Sequence, residues 1–244
     1  MKILFMDLEN IARPENLFHP GKKGRFGDRQ AGFCADLSYI LIFGYKWLGA
    51  EPESIHLSRE EFEKDPHTDR PILEKALKVM DQADLVVTWY GKGHDFPYLA
   101  SRLAQSGLYL DSSTQHLDLM DVAKKRLRLS SNSMNSVATF FGLPKKLYVS
   151  SKLWVDCWAG KYQALEDMAT YCRQDVVVLE NLYDQMLGLG VSIPDVAKLS
   201  GVEGGCPSCG SLKITGKGHR ITKLKKYQRL QCLGCGTSFK GKAV

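Results

Sequence analysis

Residues 2–9 read KILFMDLE, a short apolar run that ends in two acids. The run is too brief for a helix, so it predicts a buried β-strand. Because side chains alternate along a strand, Asp7 and Glu9 should share one face at its end. Two converging carboxylates repel each other unless a cation neutralises them or one takes up a proton. The pair is therefore a candidate cation site, with a solvated strand end as the alternative.

Strand and helix patterns alternate after this segment. Further strands are predicted over residues 37–48, 54–57, 84–90 and 116–119, and helices over residues 70–82, 95–105, 120–127, 133–141 and 165–186. This alternation is typical of an α/β fold with a mixed sheet flanked by helices. Residues 19–32 combine Gly, Pro and basic side chains, which predicts a loop that either contacts phosphate or is simply solvated.

Three further side chains occupy informative positions in these elements. Asp95 follows the strand LVVTWY and a glycine-containing turn, where it is either a metal ligand or a helix N-cap. Tyr171 and Asp175 share a face of the longest predicted helix, although Asp175 could also be a surface acid beside Arg173. With the first pair they supply four carboxylates and one phenol. Such oxygen ligands suit two Mg²⁺ or Mn²⁺ ions that hydrolyse phosphodiesters.

Three motifs carry a resemblance to a known superfamily. DLE at 7–9, WYGKGHDFPYL at 89–99 and YCRQD at 171–175 are similar, in order and spacing, to the exonuclease motifs of the DEDD superfamily. The tyrosine in the third motif resembles the subgroup that includes the proofreading domain of family B DNA polymerases. The resemblance extends over nearly all of residues 1–190 and implies a ribonuclease H-like fold.

The resemblance also implies an activity and a role for each motif residue. It implies a 3′–5′ exonuclease with two catalytic Mg²⁺ or Mn²⁺ ions, free-standing because no polymerase domain follows. Asp7 would bridge both metals, and Glu9 would help hold the water and the terminal 3′ hydroxyl. Asp95 and Asp175 would complete the two metal shells. Tyr171 would orient the attacking water, for which a hydrogen bond suffices.

The second motif departs from the family B pattern, which usually reads Asn-Gly ahead of Phe-Asp. This chain has Tyr90 before the glycine and His94 before Asp95. His94 is a candidate for contacting a phosphate or stacking on a base, with a structural role as the alternative. Asp118 and Asp121 are competing acids, and Asp118 is either a metal ligand or a local cap.

The cysteines indicate a second metal. CPSCG at 206–210 and CLGCG at 232–236 each present two thiolates across a tight turn, a spacing typical of a zinc ribbon. All four ligands are sulfur, so the single Zn²⁺ should be structural; the ligands are Cys206, Cys209, Cys232 and Cys235. The other three cysteines, Cys34, Cys157 and Cys172, are predicted to be buried small apolar residues.

The net charge of +6 is concentrated at the C-terminal end. Residues 201–244 contain nine basic side chains and one acid, whereas the preceding part is nearly neutral. A polyanion is the natural partner of such a module. The candidate nucleic-acid-binding residues are Lys223, Lys225, Lys226, Tyr227 and Arg229. A solvated basic surface or a protein-docking module is the alternative.

These features predict a nuclease domain over residues 1–188, a linker over 189–204 and a zinc ribbon over 205–244. The longest apolar run, residues 37–45, is far shorter than the roughly 20 residues that cross a bilayer, so no membrane partner is expected. Asp7 comes too early for a signal peptide, and a cytoplasmic location is expected.

The leading hypothesis is a metal-dependent 3′–5′ exonuclease whose ribbon holds nucleic acid, with DNA favoured over RNA. A polymerase or other replication and repair proteins are candidate partners. One alternative is a resolvase- or transposon-type ribonuclease H-fold nuclease with a zinc ribbon. Another is a non-catalytic nucleic-acid or polymerase adapter whose acids are vestigial.

Overall fold

The computed structural model describes residues 1–12, 35–36, 38–111, 113–191 and 193–244. The basic loop predicted at residues 19–32 and Cys34 lie outside this described part. No helix within these ranges combines the length and apolar character required to cross a membrane.

A five-stranded mixed sheet forms the centre of the larger domain. Its strands are β1 (Ile3–Ala12), β2 (Ser38–Trp47), β3 (Glu53–Ile55), β4 (Leu85–Thr88) and β5 (Gln115–Asp118), in the order β3-β2-β1-β4-β5. β1 pairs antiparallel with β2 and parallel with β4, while β4 and β5 are parallel. The predicted α/β fold with a mixed sheet is therefore confirmed.

Helices flank this sheet. In chain order they are α1 (Arg59–Lys64), α2 (Arg70–Met80), α3 (Asp95–Gln105), α4 (Leu119–Arg126), α5 (Met134–Phe140), α6 (Ser151–Trp158), α7 (Tyr162–Leu187) and α8 (Val196–Leu199). The sequence patterns did not predict α1, α6 or α8, the last of which lies within the predicted linker. α1 is short and buries only Phe62 among its residues, and a capping box between Ser58 and Glu61 stabilises its start. So short a helix shows no apolar repeat.

Two hydrophobic clusters cover the two faces of the sheet. Alternate residues of β1 enter different clusters: Leu4 and Met6 join the first, and Ile3 and Phe5 join the second. α7 contributes to both, since residues 164–172 pack in the first cluster and residues 176–187 in the second. The polar side chains of α7 near residue 175 therefore lie where one apolar cluster gives way to the other.

The C-terminal ribbon is docked on the larger domain. Its antiparallel strands are β6 (Ile214–Ile221), β7 (Lys226–Cys232) and β8 (Ser238–Ala243), in that order. The Thr237 hydroxyl donates to the carbonyl of Leu187 at 2.8 Å, and Cys235 packs against the second cluster. A Cβ added to Gly188 would lie 3.4 Å from the Cys235 carbonyl oxygen. The end of α7 and the ribbon are thus in direct contact.

Candidate active site and zinc centre

The end of β1 brings two acids to one face. Asp7 lies opposite Gly44 of β2, and a bulge follows Glu9, where the regular pairing with β2 shifts. One ligand atom each of Asp7, Glu9 and Cys172 lies within 4.8 Å of the others. The alternation expected from the sequence therefore does bring the two carboxylates together, on the face covered by α7.

Cys172 lies in this cluster as a neutral neighbour. Its Sγ is 3.6 Å from the carbonyl oxygen of Asp7, and a Cβ on Gly44 would approach that sulfur to 2.5 Å. Glycine at position 44 is what allows α7 to approach β2 so closely. Burial raises the pKa of the Cys172 thiol well above its usual value. The thiol stays protonated, as a small core residue should.

Asp95 is delivered to the same place by the strand next to β1. β4 runs parallel to β1, and the chain then turns into α3, of which Asp95 is the first residue. The side chain is buried, and the nearby backbone N–H groups of Leu8 and Asp95 partly offset the effect of burial on its pKa. His94 occupies the N-cap position instead. Asp95 is therefore beside the β1 acids rather than acting as the N-cap.

α7 supplies Asp175 and Tyr171. Asp175 is 0% exposed, so it is not a surface acid beside Arg173. Its Oδ1 has no hydrogen-bond partner of ordinary geometry among the described residues. Tyr171 lies one helical turn earlier and is partly buried. Burial raises the pKa of both groups, and the charge of Glu9 adds to the shift of Tyr171 as that of Asp7 adds to the shift of Asp175, so both side chains lie near the β1 acids.

The carboxylates strongly perturb one another. Burial, followed by the charge of Asp7, raises the pKa of Glu9 and of Asp95 well above the usual range. Burial and Asp7 likewise raise the pKa of Asp175 to about 7, although Lys146 opposes this. These shifts mean that the protein alone does not neutralise the negative charge that it gathers here. A buried cluster of hard oxygen donors with an unsatisfied oxygen fits divalent cations such as Mg²⁺ or Mn²⁺.

Lys146 is a member of this site that sequence reasoning did not identify. Its Nζ lies 2.6 Å from Oδ2 of Asp175 and 5.3 Å from the centroid of the Tyr171 ring. Burial opposes its charge, but Asp7, Asp175 and Tyr171 together raise its pKa above the usual value. Lys146 stands in an irregular segment, where no periodicity could reveal it. The only signal was its position at the end of FFGLPKK.

Asp118 holds the turn that precedes Asp95. Its carboxylate accepts hydrogen bonds from the backbone N–H groups of Tyr90 and Lys92, at 3.0 and 3.1 Å, and from Met120 at 3.0 Å. The last of these makes it the N-cap of α4. Tyr90 has a φ of 69°, an unfavourable conformation for a residue with a side chain. Asp118 therefore stabilises a strained turn and acts as a local cap.

His94 takes part in packing at the edge of the site. Its Nε2 is 3.1 Å from Oδ1 of Asn10, and its ring lies 5.5 Å from that of Tyr98. Burial lowers the pKa of His94 despite the nearby charge of Asp7. These contacts favour the structural alternative for this residue over a contact with nucleic acid.

A cleft of about 520 Å³ opens beside the carboxylates. Its lining includes Asp7 and Lys146, together with Trp89, Tyr90, Met120 and residues 132–135. Tyr90 is half exposed, and Nζ of Lys124 lies 5.8 Å from its ring centroid. An aromatic surface next to a cation is suited to a nucleotide base and its phosphate. The cleft gives such a group access to the buried acids.

The four C-terminal cysteines form a separate centre. Their sulfurs all lie within 4.8 Å of one another, with 3.7 Å between Cys206 and Cys235 and 3.7 Å between Cys209 and Cys232. A tetrahedron with Zn–S bonds of about 2.3 Å has sulfurs about 3.8 Å apart. Backbone N–H groups of Ser208 and Gly234 point at two of the sulfurs. The cluster is compatible with one structural zinc ion in a small zinc ribbon.

The basic residues singled out in the ribbon do not form one cluster. Lys223 and Lys225 lie in the turn between β6 and β7, and Lys226 begins β7. Tyr227 and Arg229 lie further along β7, where Tyr227 pairs with Arg220 of β6 and Arg229 pairs with Lys240 of β8. The first three therefore project from the tip of a hairpin, whereas the last two belong to the body of the ribbon sheet.

Comparisons with known proteins agree with this architecture. A model of the RNase_H superfamily matches residues 31–187. The comparison with curated proteins gives no significant match. Among solved structures, the family B DNA polymerase from the hyperthermophilic archaeon Pyrobaculum calidifontis is similar, with a TM-score of 0.56 and 16% sequence identity. The similarity covers 77% of this chain but 24% of the polymerase chain, so it establishes a shared fold alone.

Proposed function

Because the chain belongs to the RNase H superfamily, we propose that it is a two-metal-ion 3′–5′ exonuclease that hydrolyses nucleic acid, with DNA favoured over RNA. One observation carries the proposal: Glu9, Asp95 and Asp175 lie close enough to Asp7 for its charge to raise the pKa of each, and Asp7 lines an open cleft. A structural role does not explain this arrangement, since the negative charge of each acid destabilises the ionised form of the others.

The four acids are the proposed ligands of two divalent cations. When bound, such a pair supplies an activated water and stabilises the leaving oxygen of a phosphodiester. Asp7 would be a ligand near the other three, since its charge raises the pKa of each of them in addition to the larger effect of burial. Tyr171 can orient the attacking water as a neutral phenol, because burial raises its pKa.

Lys146 adds a positive charge on the cleft side of this cluster. Its Nζ contacts Asp175 and also lines the cleft together with Asp7. An ammonium at this position can hold a non-bridging oxygen of the scissile phosphate and place the phosphate over the acids. The backbone of Lys146 is fixed by a hydrogen bond to Oδ1 of Asn135 at 2.9 Å, which limits its movement.

The ribbon is proposed to bind substrate rather than to take part in the chemistry. Its zinc ligands are all sulfur, which leaves no open coordination position. Its excess of basic side chains favours a polyanion. Polymerases and other replication or repair proteins remain candidate partners, as the resemblance implies.

The decisive experiment uses the purified full-length protein with Mg²⁺ or Mn²⁺ and strands labelled at either end, with the 3′ terminus free or blocked. The proposal expects stepwise release of mononucleotides from a free 3′ end and protection by the block. Hydrolysis that proceeds equally well with a blocked 3′ terminus would refute the 3′–5′ exonuclease assignment. It would still be consistent with a nuclease. DNA and RNA strands of the same sequence, compared in parallel, test the preference for DNA.

The same experiment separates an enzyme from an adapter. A non-catalytic adapter predicts that Asp7→Ala changes no measured activity. The enzyme predicts that Asp7→Ala abolishes digestion while the protein stays folded, as judged by circular dichroism. Chelation of Mg²⁺ and Mn²⁺ should have the same effect as the substitution.

A further inference from the structure

The ribbon carries a basic groove that lies outside the carboxylate site. The groove has a volume of about 690 Å³. Its lining includes four cations, Lys217, Arg220, Arg229 and Lys240, and also residues Leu230 and Phe239. Lys217 and Arg220 lie on β6, Arg229 on β7 and Lys240 on β8, so the groove is assembled from all three ribbon strands.

The cations of this groove are not neutralised by the protein. Arg229 and Lys240 lie directly opposite each other on β7 and β8, where like charges destabilise a strand pair. No ion pair among the described residues involves any of the four groove cations. Residues 201–244 contain a single acid, Glu203. The sheet therefore holds a repulsive arrangement that an external anion would relieve.

An aromatic ring lies among these cations. Nζ of Lys240 is 5.3 Å from the centroid of the Tyr227 ring, and Arg220 is the cross-strand partner of Tyr227. Arg220, Tyr227, Arg229 and Lys240 consequently share one face of the ribbon. Cations interleaved with an aromatic ring suit a strand whose phosphates and unstacked bases are both accessible. A duplex or an acidic peptide offers the charge but not the exposed base faces.

We propose that this groove, rather than the lysines of the β6–β7 turn, is a binding site for single-stranded nucleic acid. The proposal rests on the proposed function, because it assigns the groove to the strand that the carboxylate site would cleave. The ribbon is docked on Leu187, so the groove stands at a fixed place relative to the acids. Along α7, Asp175 and Leu187 are separated by about 18 Å of helix.

The test is a binding measurement on the full-length, zinc-loaded protein. The Asp7→Asn background prevents hydrolysis, and fluorescence anisotropy with a labelled single-stranded oligodeoxythymidylate reports affinity. The groove variant is Arg229→Glu with Lys240→Glu. The matched control is Lys78→Glu with Lys213→Glu, which changes the net charge equally at exposed positions outside the groove. A third variant, Lys223→Glu with Lys225→Glu, tests the turn.

The groove variant should bind at least tenfold more weakly, whereas the control should change by less than about twofold. Binding by the groove variant should also depend less on salt. The magnitude of the slope of log K against log salt should fall by about 1.4, which corresponds to two lost phosphate contacts. Zinc content and circular dichroism identify a variant that has not folded. Arg229→Gln with Lys240→Gln, a milder change, should then show the same loss in part.

Three results would overturn the proposal. Equal loss in the groove variant and the control would indicate diffuse attraction. Loss in the turn variant alone would move the site to the turn. Tighter binding of blunt duplex or of polyglutamate than of the single strand would indicate a different partner. Hydrolysis by the chain without the Asp7 substitution is assayed separately, so failure of the exonuclease assignment would be visible even where groove-dependent binding is found.

Discussion

Lys146 and Asp175 form a buried ion pair within the acid cluster, with 2.6 Å between Nζ and Oδ2. In the absence of divalent cations, this lysine is the positive charge that Asp175 contacts. It also lies near Asp7 and Tyr171, which together with Asp175 raise its pKa against the effect of burial. Its ammonium therefore lies among the same acids that are proposed to hold divalent cations, and it would repel such a cation.

Replacing Lys146 should tighten divalent-cation binding. In Lys146→Gln, we expect the affinity for Mn²⁺, measured by isothermal titration calorimetry, to rise at least tenfold. A unit charge about 4 Å away is worth about 4 kcal/mol at an effective dielectric constant of 20. Hydrolysis should nevertheless fall, since the phosphate loses its ammonium. Lys145→Gln, at the exposed neighbouring position, is the control; equal Mn²⁺ affinity in the two variants would contradict the idea.

Asp7 should be essential for hydrolysis but unfavourable for stability. Asp7→Asn is expected to lower the hydrolysis rate at least 1,000-fold, because a charged ligand that would hold the divalent cations is lost. Without divalent cations, its melting temperature should be unchanged or higher, since repulsion with Glu9, Asp95 and Asp175 is relieved. Asp167→Asn, on the exposed side of α7, provides the comparison. A marked loss of stability in Asp7→Asn would contradict the proposed repulsion among these carboxylates.

Asp118 should act by positioning the turn before Asp95. Asp118→Ala leaves the N–H groups of Tyr90, Lys92 and Met120 without their acceptor, which should cost about 2–4 kcal/mol of stability. Asp118→Asn retains one carbonyl oxygen, so it should lose less stability and less activity. Thermal unfolding and kcat, measured side by side, check this order. Equal loss of activity in the two variants would instead indicate that Asp118 is a metal ligand.

Zinc should be needed for the ribbon and not for the fold of the larger domain. We expect atomic absorption to find one zinc ion per chain in the wild type and in Cys157→Ala. Cys209→Ser should contain less zinc. The domain should unfold at a somewhat lower temperature, because the contact of Thr237 with Leu187 is lost, a cost of about 1 kcal/mol. Loss of all cooperative unfolding would show that the domain depends on the ribbon.

His116 should reduce stability at mildly acidic pH. Burial lowers its pKa to about 4, while Asp118 and Asp121 oppose the shift and Lys92 supports it. Between pH 6.5 and 4 the unfolded chain binds a proton that the folded chain excludes, so stability falls as the pH falls through this range.

The variant His116→Gln removes this proton linkage. Its free energy of unfolding should depend less on pH between 6.5 and 4 than that of the wild type. His219→Gln, at an exposed position of the ribbon, should keep the wild-type dependence. Urea unfolding at several pH values measures the difference, and parallel curves for His116→Gln and the wild type would refute the prediction. Thr88, whose hydroxyl lies 2.8 Å from Nε2 of His116 in the wild type, is left unchanged in both variants.

The spacing of residues within single strands and helices predicted much of the fold and part of the candidate site. The period of two in β1 placed Asp7 and Glu9 on one face, and helical spacing placed Tyr171 and Asp175 on another. These relations hold within a single element, so no knowledge of the remaining chain was needed. α1 was missed for the opposite reason: its six residues are too few to show a repeat. Its start depends on a cap rather than on an apolar stripe.

The sequence by itself determined the alternation of strands and helices, the acids that share a face, and the two CxxC pairs, because each depends on spacing of a few residues. Only the tertiary structure decided that Lys146 meets Asp175, that Asp118 holds the Tyr90 turn, and that the ribbon docks on Leu187. These contacts join segments far apart in the chain. Their formation depends on strand register and loop paths, which are set by the packing of the whole core rather than by local spacing.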